Sequence, residues 1–222
     1  MTLPDQYFTQ PRRDVASLIP QGAHKVLDVG CGYGALGRLL VSERNCAVHG
    51  VERNPNAAAH LRGTYERFVQ GDVEASVDML REERYDCIVF ADILEHLADP
   101  WTALARYRAL LAPEGSIVAS IPNVRNFVVL FNLVVRGHWT YADSGLLDRT
   151  HLRFFTRVEI IRLFGDAGLV IDRIAVNRDR YRPWQWLLAA LPALIIPDLT
   201  VCQFLVRAHT AERKLRSLLS AR

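Results

Sequence analysis

The chain has few of the features that mark membrane-spanning, secreted or zinc-binding proteins. Its longest apolar run, Leu187 to Ile196, is interrupted by Pro192 and falls short of the roughly 20 residues that a spanning helix needs. The four cysteines are scattered, with no CxxC pair and no Cys/His spacing suited to zinc. Residues 1–13 hold no apolar core flanked by positive charge, so we expect no signal peptide. These absences predict a cytoplasmic protein.

Charge of one sign is also scarce outside the end of the chain. The formal net charge is +3, and residues 207–222 contribute +4 of it, from five basic residues and Glu212. The other 206 residues therefore sum to −1. A body without a basic face predicts no nucleic-acid partner, whereas the basic end is typical of a solvated helix face.

From residue 25 to residue 122, short apolar runs alternate with amphipathic segments. The expected strands are Lys25–Asp28, Ala47–Val51, Phe68–Val69, Asp86–Phe90 and Ser116–Ile121. Helices are expected to begin near Gly34, Ala57, Asp72 and Asp99. The third of them should reach Arg84, and a turn is expected at Pro113–Gly115. The alternation predicts an α/β fold, a Rossmann-like and mostly parallel sheet with helices on both faces.

After Pro122 the alternation stops, and Asn123 to Thr156 form an insertion rich in aromatic residues and arginine. A helix is expected to resume at Thr156, because Thr156 and Glu159 fit a capping box and Gly168 fits a C-terminal stop. Two closing strands are expected at Leu169–Val176 and Thr200–Val206.

The strongest motif is the segment Val26 to Gly34, VLDVGCGYG, in which a strand runs into glycines and then into a helix. Glu52, Asp72 and Asp92 follow Gly32 at successive intervals of 20 residues, about the length of one βα unit. Each acid should therefore lie at or just past the carboxyl end of a strand, where open α/β sheets bind ligands.

The charge of this edge indicates the kind of ligand. Asp28, Glu52 and Asp72 would converge on one crevice, and three carboxylates favour a cation or a hydroxyl-rich molecule over the pyrophosphate of a dinucleotide. No GKS or GKT follows the glycines, so the motif is not a phosphate-binding P-loop.

Five segments between Lys25 and Asn123 resemble, in order and spacing, the successive motifs of class I S-adenosylmethionine-dependent methyltransferases. They are VLDVGCGYG, VHGVE, VQGDV, YDCIVFADILEHLADP and LLAPEGSIVASIPN. The resemblance implies S-adenosylmethionine as the cofactor and a seven-stranded sheet whose last strand is antiparallel. It further implies one domain over 1–222, with a cofactor-binding half (1–123), a substrate lid (124–156), and a closing helix, strands and apolar cap (157–222).

The resemblance also implies roles for individual residues. Gly30, Gly32 and Gly34 would border the amino-acid part of the cofactor, and Asp28 would help to hold its amino group. Glu52 would take the two ribose hydroxyls. Asp72 and Val73 would lie at the adenine, although Asp72 taken alone is more typical of a helix N-cap. Ala91 and Asp92 would lie beside the reacting methyl, and Cys31 and Arg53 complete the expected cofactor-binding set.

A second segment, Gly145 to Thr156 (GLLDRTHLRFFT), resembles a segment of bacterial small-molecule methyltransferases. Many of those act in cell-surface saccharide and glycolipid pathways, and others are ubiquinone-type O-methyltransferases. The leading expectation is therefore transfer to a hydroxyl of a sugar or lipid-linked saccharide. Methylation of a quinone or phenol oxygen, or of a small-molecule nitrogen, is the alternative.

Two readings from other classes are an NAD-dependent oxidoreductase and a non-catalytic binding scaffold. Asp28 within the glycine motif and the lack of a Tyr-x-x-x-Lys pair argue against the first. The intact acids argue against the second.

The segment Gly145 to Thr156 also supplies a candidate general base. The pKa of histidine suits proton removal near neutral pH, and His151 is our first candidate, with Asp148 three residues earlier to orient its ring or raise its pKa. His96 and Asp92 are the rivals. The structural alternative is a packed turn in which Asp148 pairs with Arg153. No metal is expected, because a sulfonium methyl is already electrophilic and alignment alone can supply ~7–11 kcal/mol.

The segment Trp184–Pro197 is too apolar for an ordinary exposed connection. One interpretation is a cap buried on the sheet. The other is an interfacial patch at the inner membrane surface, with the tryptophans at headgroup level and the basic end of the chain assisting.

Overall fold

The structure is a computed structural model that describes residues 11–178, Ala189 and 193–212. Its strands are β1 (Lys25–Val29), β2 (Ala47–Glu52), β3 (Arg67–Gln70), β4 (Tyr85–Ala91), β5 (Leu111–Pro122), β6 (Leu169–Arg178) and β7 (Val201–Thr210). They form one sheet in the order β3-β2-β1-β4-β5-β7-β6. Strand β7 is antiparallel to both of its neighbours, and all other pairs are parallel. The predicted Rossmann-like sheet with an antiparallel last strand is confirmed.

Helices cover both faces of this sheet. They are α1 (Arg13–Ala16), α2 (Ala35–Arg44), α3 (Ala57–Leu61), α4 (Val73–Ser76), α5 (Pro100–Arg108), α6 (Phe127–Arg136) and α7 (Arg157–Asp166). Successive residues of a strand point to opposite faces, so Val26 and Leu27 of β1 enter different apolar clusters. None of the helices in the described ranges is long and apolar enough to cross a bilayer.

Two predicted element boundaries are wrong. The expected turn at Pro113–Gly115 lies within β5, which already begins at Leu111 and pairs there with Tyr85. Residues 112–115 form an irregularity in the pairing with β4 before Ser116, which pairs with Cys87. The helix after Asp72 ends early and continues only as a 3-10 turn over Val77–Leu80. After this turn, ion pairs tie the carboxylate of Glu83 to Lys25 at 2.5 Å and to Arg67 at 2.6 Å, at the starts of β1 and β3.

Helix α6, inside the predicted insertion, was not expected from the sequence. Its ten residues, FVVLFNLVVR, are apolar at all positions but two, Asn132 and Arg136, which lie four apart on one face, so the sequence shows only a narrow polar side. The ends did carry signals. Asn126 caps the first turn by accepting from the amide of Val128, and Gly137, with a φ of 68°, ends the helix. Helix α7 starts at the predicted capping box, where the Thr156 side chain accepts from the amide of Glu159.

Candidate active site

The glycine turn between β1 and α2 lies against the ends of β2 and β4. The amides of Gly30 and Cys31 both donate to the carbonyl of Val51, at 2.8 and 3.1 Å. A Cβ added to Gly30 would lie 2.0 Å from Cδ1 of Ile93, and its φ of +71° is one that other residues rarely adopt. Gly32 and Gly34 also have positive φ. The turn therefore needs glycine, and it places bare backbone at the carboxyl edge of the sheet.

Glu52, the last residue of β2, is held by that turn. Its two carboxylate oxygens accept from the amide of Gly32 at 3.0 Å and from the amide of Asn54 at 2.8 Å. Each oxygen keeps a further lone pair for a ligand hydroxyl. Arg53 follows with an exposed side chain.

Asp28 is a buried carboxylate in the middle of the crevice, with 2% of its surface exposed. The hydroxyl of Tyr65 donates to it at 2.7 Å. Burial raises the pKa of Asp28 to about 6, opposed by the Tyr65 hydrogen bond and assisted by the charge of Glu52. Burial also raises the pKa of the Cys31 thiol. No cationic side chain pairs with Asp28 within the described ranges, and this negative crevice fits a cationic ligand with hydroxyl groups.

The next predicted cofactor residues lie past β3. Asp72 caps α4 by accepting from the amide of Glu74 at 2.8 Å, as the N-cap interpretation predicted. Its side chain is exposed. The carbonyl of Val73 accepts from the hydroxyl of Tyr107 at 2.9 Å. A role of Asp72 and Val73 at the adenine stays a prediction.

Asp92 follows Ala91 at the end of β4 and adopts a positive φ of 58°. Its Oδ1 accepts from the hydroxyl of Ser120 at 2.7 Å and from the amide group of Gln203 at 2.8 Å. Its Oδ2 binds the guanidinium of Arg12. Because both oxygens are committed, Asp92 is a poor rival for the role of base. Sequence reasoning missed these partners, since they come from distant segments without a shared motif.

Arg12 connects the start of the described chain to this site. Its guanidinium also donates to Asp14 at 3.0 Å and to the Ser120 hydroxyl at 2.9 Å. The pKa of Arg12 is raised: burial opposes the rise, and the charges and hydrogen bonds of Asp92 and Asp14 outweigh it. The contact holds the segment before α1 over the end of β4.

We expect Arg12→Gln to lower the free energy of unfolding by about 1–3 kcal/mol, because it leaves the partly buried Asp92 carboxylate short of its charged donor. Thermal and urea unfolding would measure this. Arg13→Gln is the matched control, because Arg13 forms an exposed pair with Glu43 and such pairs contribute little. Equal stability of the two variants would show that the Arg12 contact is not a stabilising one.

The three predicted catalytic residues lie together at the same edge. His96, in the 3-10 turn Leu94–His96 after β4, places its Nδ1 3.2 Å from the carbonyl of Thr150 and 3.0 Å from the Thr150 hydroxyl. That hydroxyl donates to Asp148 at 2.7 Å. A carbonyl can only accept, so Nδ1 of His96 carries the proton and Nε2 keeps its lone pair.

His151 is more enclosed than predicted, with 7% of its surface exposed. Its Nδ1 donates to the carbonyl of Leu146 at 3.2 Å, and its ring packs edge-on against His96 with centroids 4.7 Å apart. Asp148 therefore reaches His96, through Thr150, and the prediction that it orients His151 is corrected. Burial lowers the pKa of both histidines, and for His151 the charge of His96 adds to this. The charge of Asp148 does act to raise the pKa of His151, as predicted, but burial outweighs it.

The predicted structural alternative, an ion pair of Asp148 with Arg153, does not form. The guanidinium of Arg153 instead donates to the carbonyl of Ala98 and lies over the ring of Trp101, 5.9 Å from its centroid. The backbone amide and the hydroxyl of Thr150 both donate to Oδ1 of Asp148. The turn is packed, but by other contacts than the sequence suggested.

Glu95, His96 and His151 also form a group that could accommodate an ion. Each offers one donor atom, and the three atoms lie within 4.8 Å of one another. The hydrogen bonds of both rings to backbone carbonyls already account for their orientation. The expectation that the reaction needs no metal stays a prediction, and this group is where a chelator would test it.

Comparison with known proteins agrees with this geometry. A family described as "Methyltransferase domain" matches residues 5–174. The ubiquinone biosynthesis O-methyltransferase of Cereibacter sphaeroides (strain ATCC 17023) is 28% identical over 187 residues, which cover 80% of this chain and 73% of that protein. The protein of the same name from Xylella fastidiosa (strain 9a5c) is 30% identical over 179 residues, covering 77% and 70%.

Solved structures show the same fold. A SAM-dependent methyltransferase from Archaeoglobus fulgidus superposes with a TM-score of 0.63 at 18% identity, covering 88% of this chain and 90% of that one. The O-methyltransferase of a Brevibacillus brevis polyketide synthase, in complex with S-adenosyl-L-homocysteine, gives 0.59 at 16% identity, covering 90% and 71%. Sheet order, glycine turn and family match together identify the chain as a member of the class I S-adenosylmethionine-dependent methyltransferases.

Proposed function

We propose that the enzyme transfers the methyl group of S-adenosylmethionine to a hydroxyl oxygen of a small molecule, with His96 as the general base. The observation that carries this is the hydrogen-bonded series Asp148, Thr150, His96, which fixes one ring nitrogen and leaves the other free. A histidine held in this way by a carboxylate resembles, in logic, the base of a hydrolase triad.

Several residues would hold the cofactor, whose bound form supplies an electrophilic methyl group. Gly30, Gly32 and Gly34 would bring backbone close to its amino-acid part, and the anionic Asp28 would face its ammonium. Glu52 would accept from the ribose hydroxyls. Fixing the reacting groups in line contributes ~7–11 kcal/mol to the lowering of the barrier.

The base then acts on the acceptor. Nε2 of His96 would take the hydroxyl proton as the oxygen bonds to the methyl carbon, whose bond to the sulfonium sulfur would break with its electron pair left on sulfur. The resulting imidazolium would keep its Nδ1–H on Thr150. The carboxylate of Asp148 stabilises this cation through the Thr150 hydroxyl. General base catalysis of this kind contributes ~10²–10⁴-fold. The charges of Asp92 and Arg53 both act on the His96 ring, which supports its place beside the cofactor crevice.

For the acceptor we propose a hydroxyl on a molecule with an apolar tail. A lipid-linked saccharide is the first candidate from the sequence, and a prenylated phenol is favoured by the name of the Cereibacter and Xylella relatives, ubiquinone biosynthesis O-methyltransferase. Helix α6 supports the apolar tail, because Leu133, Val134 and Val135 on it are exposed. Activity on matched panels of polyprenyl-linked sugars and prenylated phenols would decide between the two.

The proposal includes peripheral contact with a membrane. Most of the predicted patch Trp184–Pro197 lies outside the described residues, but Leu194 and Ile195 are 80% and 85% exposed. The side chains of Asn123 and Asn126 donate to the carbonyl of Val201 at 2.9 and 3.1 Å. These bonds hold Val201, four residues after that segment, beside the start of α6.

We therefore expect the protein to float with anionic liposomes at low salt, and Val134→Asp combined with Leu194→Asp to reduce the floated fraction. A charge introduced on a surface that enters the headgroup region opposes binding. Met79→Asp is the control, because Met79 is equally an exposed apolar residue but its carbonyl binds Arg67 at the opposite edge. If the protein stays in the soluble fraction at low salt, the proposed membrane contact is wrong, and α6 remains only part of the predicted lid.

The raised pKa of Asp28 gives an expected pH dependence. Affinity for S-adenosylmethionine should fall as the pH drops through about 6, by at most ~10-fold per pH unit, because protonation removes the charge that faces the ammonium. The stability of the free protein depends on pH in the opposite direction. The folded pKa exceeds the unfolded value, so the contribution of Asp28 to stability is fully present below pH ~4 and is lost as the pH rises through about 6.

Calorimetric titrations between pH 5 and pH 7 measure the binding effect. Asp28→Asn is the control, since it cannot titrate, and its weaker affinity should be flat over this range. A parent protein with flat affinity over the same range would show that ionised Asp28 does not face the cofactor.

A further inference from the structure

Glu95 is the most enclosed ionisable side chain of the site, with 1% of its surface exposed. Neither of its carboxylate oxygens has a hydrogen bond within the residues that the structure describes. Nε2 of His151, in the insertion, lies 4.0 Å from Oε1. The Glu95 backbone carbonyl accepts from the amides of Leu152 and Arg153 at 2.8 and 3.0 Å, so the insertion is anchored at this residue.

The charges around Glu95 do not favour an ionised carboxylate. Burial raises the pKa of Glu95, the charges of Asp92 and Asp148 raise it further, and the backbone amide of Glu95 itself acts in the opposite direction. Arg12 is the cation whose charge acts on it in the opposite direction, but that guanidinium is bound to Asp92 and Asp14. His96 and His151 complete the surroundings, and burial lowers the pKa of both rings. An unpaired buried carboxylate without side-chain partners is costly, and this favours the neutral acid.

The tautomer of His151 determines what the neutral acid can do. Because Nδ1 of His151 donates to the carbonyl of Leu146, its Nε2 has only a lone pair to offer. A carboxylate could not bond to that lone pair, whereas a carboxylic acid can donate its O–H to it. A rotation that shortens the separation by about 1 Å is enough to reach hydrogen-bond distance.

We propose that Glu95 is a neutral carboxylic acid that donates to Nε2 of His151 and thereby positions the His151 ring against His96. His151 is then a support with both ring nitrogens occupied, and Glu95 a positioning residue that does not exchange protons during turnover. The proposal rests on the assignment of His96 as the base, which it deepens by giving the two neighbouring residues a separate role.

Two variants test the proposal. Glu95→Gln keeps a neutral hydrogen-bond donor, so kcat should stay within about threefold of the parent value. Glu95→Leu keeps the volume but removes the donor, and we expect kcat to fall by about tenfold or more, as for the loss of one buried hydrogen bond. Affinity for S-adenosylmethionine should be the same in both. A fall in Glu95→Gln as large as that in Glu95→Leu would overturn the proposal, because it would require the ionised form.

Spectroscopy provides a readout that does not depend on activity or on the leucine variant folding. The infrared difference between the parent protein and Glu95→Gln at pH 7 should contain the C=O stretch of a protonated carboxyl group. Nitrogen-15 NMR of the rings should show His151 protonated at Nδ1 in both proteins. An absent carboxyl band would overturn the proposal, as would parent activity that is lost on chelation and restored by a divalent metal. If His96 is not the base, the kinetic pattern fails while the carboxyl band and the tautomer remain.

Discussion

Replacing Glu52 with alanine is expected to weaken the binding of S-adenosylmethionine by about 10²- to 10⁴-fold. The change removes two hydrogen bonds from ligand hydroxyls to a charged acceptor, each worth ~1.5–3 kcal/mol. It also removes the carboxylate that the amides of Gly32 and Asn54 now share, so the glycine turn loses its tie to β2. The expected loss is therefore large for a single side chain.

Isothermal titration with S-adenosylmethionine and with its demethylated product would measure this loss. Glu66→Ala is a matched control, because Glu66 is an exposed glutamate at the amino end of β3, the edge opposite to the site. Glu52→Gln should be intermediate, since it retains one uncharged acceptor oxygen. Unchanged affinity in Glu52→Ala would show that the ribose lies elsewhere.

The second large effect is expected for His96→Ala. Removal of the base should lower kcat by about 10²- to 10⁴-fold while the affinity for the cofactor stays nearly unchanged. In the parent enzyme the rate should fall as the pH drops and His96 becomes protonated. Burial lowers the pKa of His96, so this acidic limb should lie below the ordinary value of about 6.5. The variant should lack the limb.

Two further variants complete this experiment. His24→Ala is the control, because His24 is exposed just before β1 at the far edge of the sheet. His151→Ala should lower kcat less than His96→Ala and should keep the acidic limb, since His151 acts as a support. If His151→Ala removes the limb and His96→Ala keeps it, then His151 is the base, as the sequence first suggested.

The sequence predicted which residues gather around the glycine turn, because the rule that places them is local and topological. A strand that ends in VLDVGCGYG needs glycine where the chain turns, and parallel strands bring their carboxyl ends to one edge. An acid every 20 residues must then converge on that edge, whatever the rest of the chain does. Asp28 accordingly lies in the strand that leads into the glycine turn and accepts from Tyr65. Glu52 accepts from the amide of Gly32 in that turn.

On the side predicted to bind the acceptor, the sequence indicated which residues lie together but not how they pair. The sequence indicated His96, His151 and Asp148, but spacing along the chain favoured Asp148 as the partner of the nearer His151. The fold instead brings the turn after β4 against residues 146–153, more than 50 positions later, so that Thr150 bridges Asp148 to His96. The helix α6 was missed for a different reason, because a short apolar run with only two polar residues, Asn132 and Arg136, does not distinguish a helix from a buried strand.

What the sequence determined by itself was the class of fold, the cofactor and the edge of the sheet at which the glycine turn and Glu52 lie, since strand period, glycine and charge spacing act within one or two βα units. The tertiary structure alone decided which ring nitrogen is free, which carboxyl lies buried without a partner, and that Arg12 covers Asp92. Those properties depend on burial and on hydrogen bonds between segments 50 to 110 residues apart. No pattern within a single segment encodes such pairings.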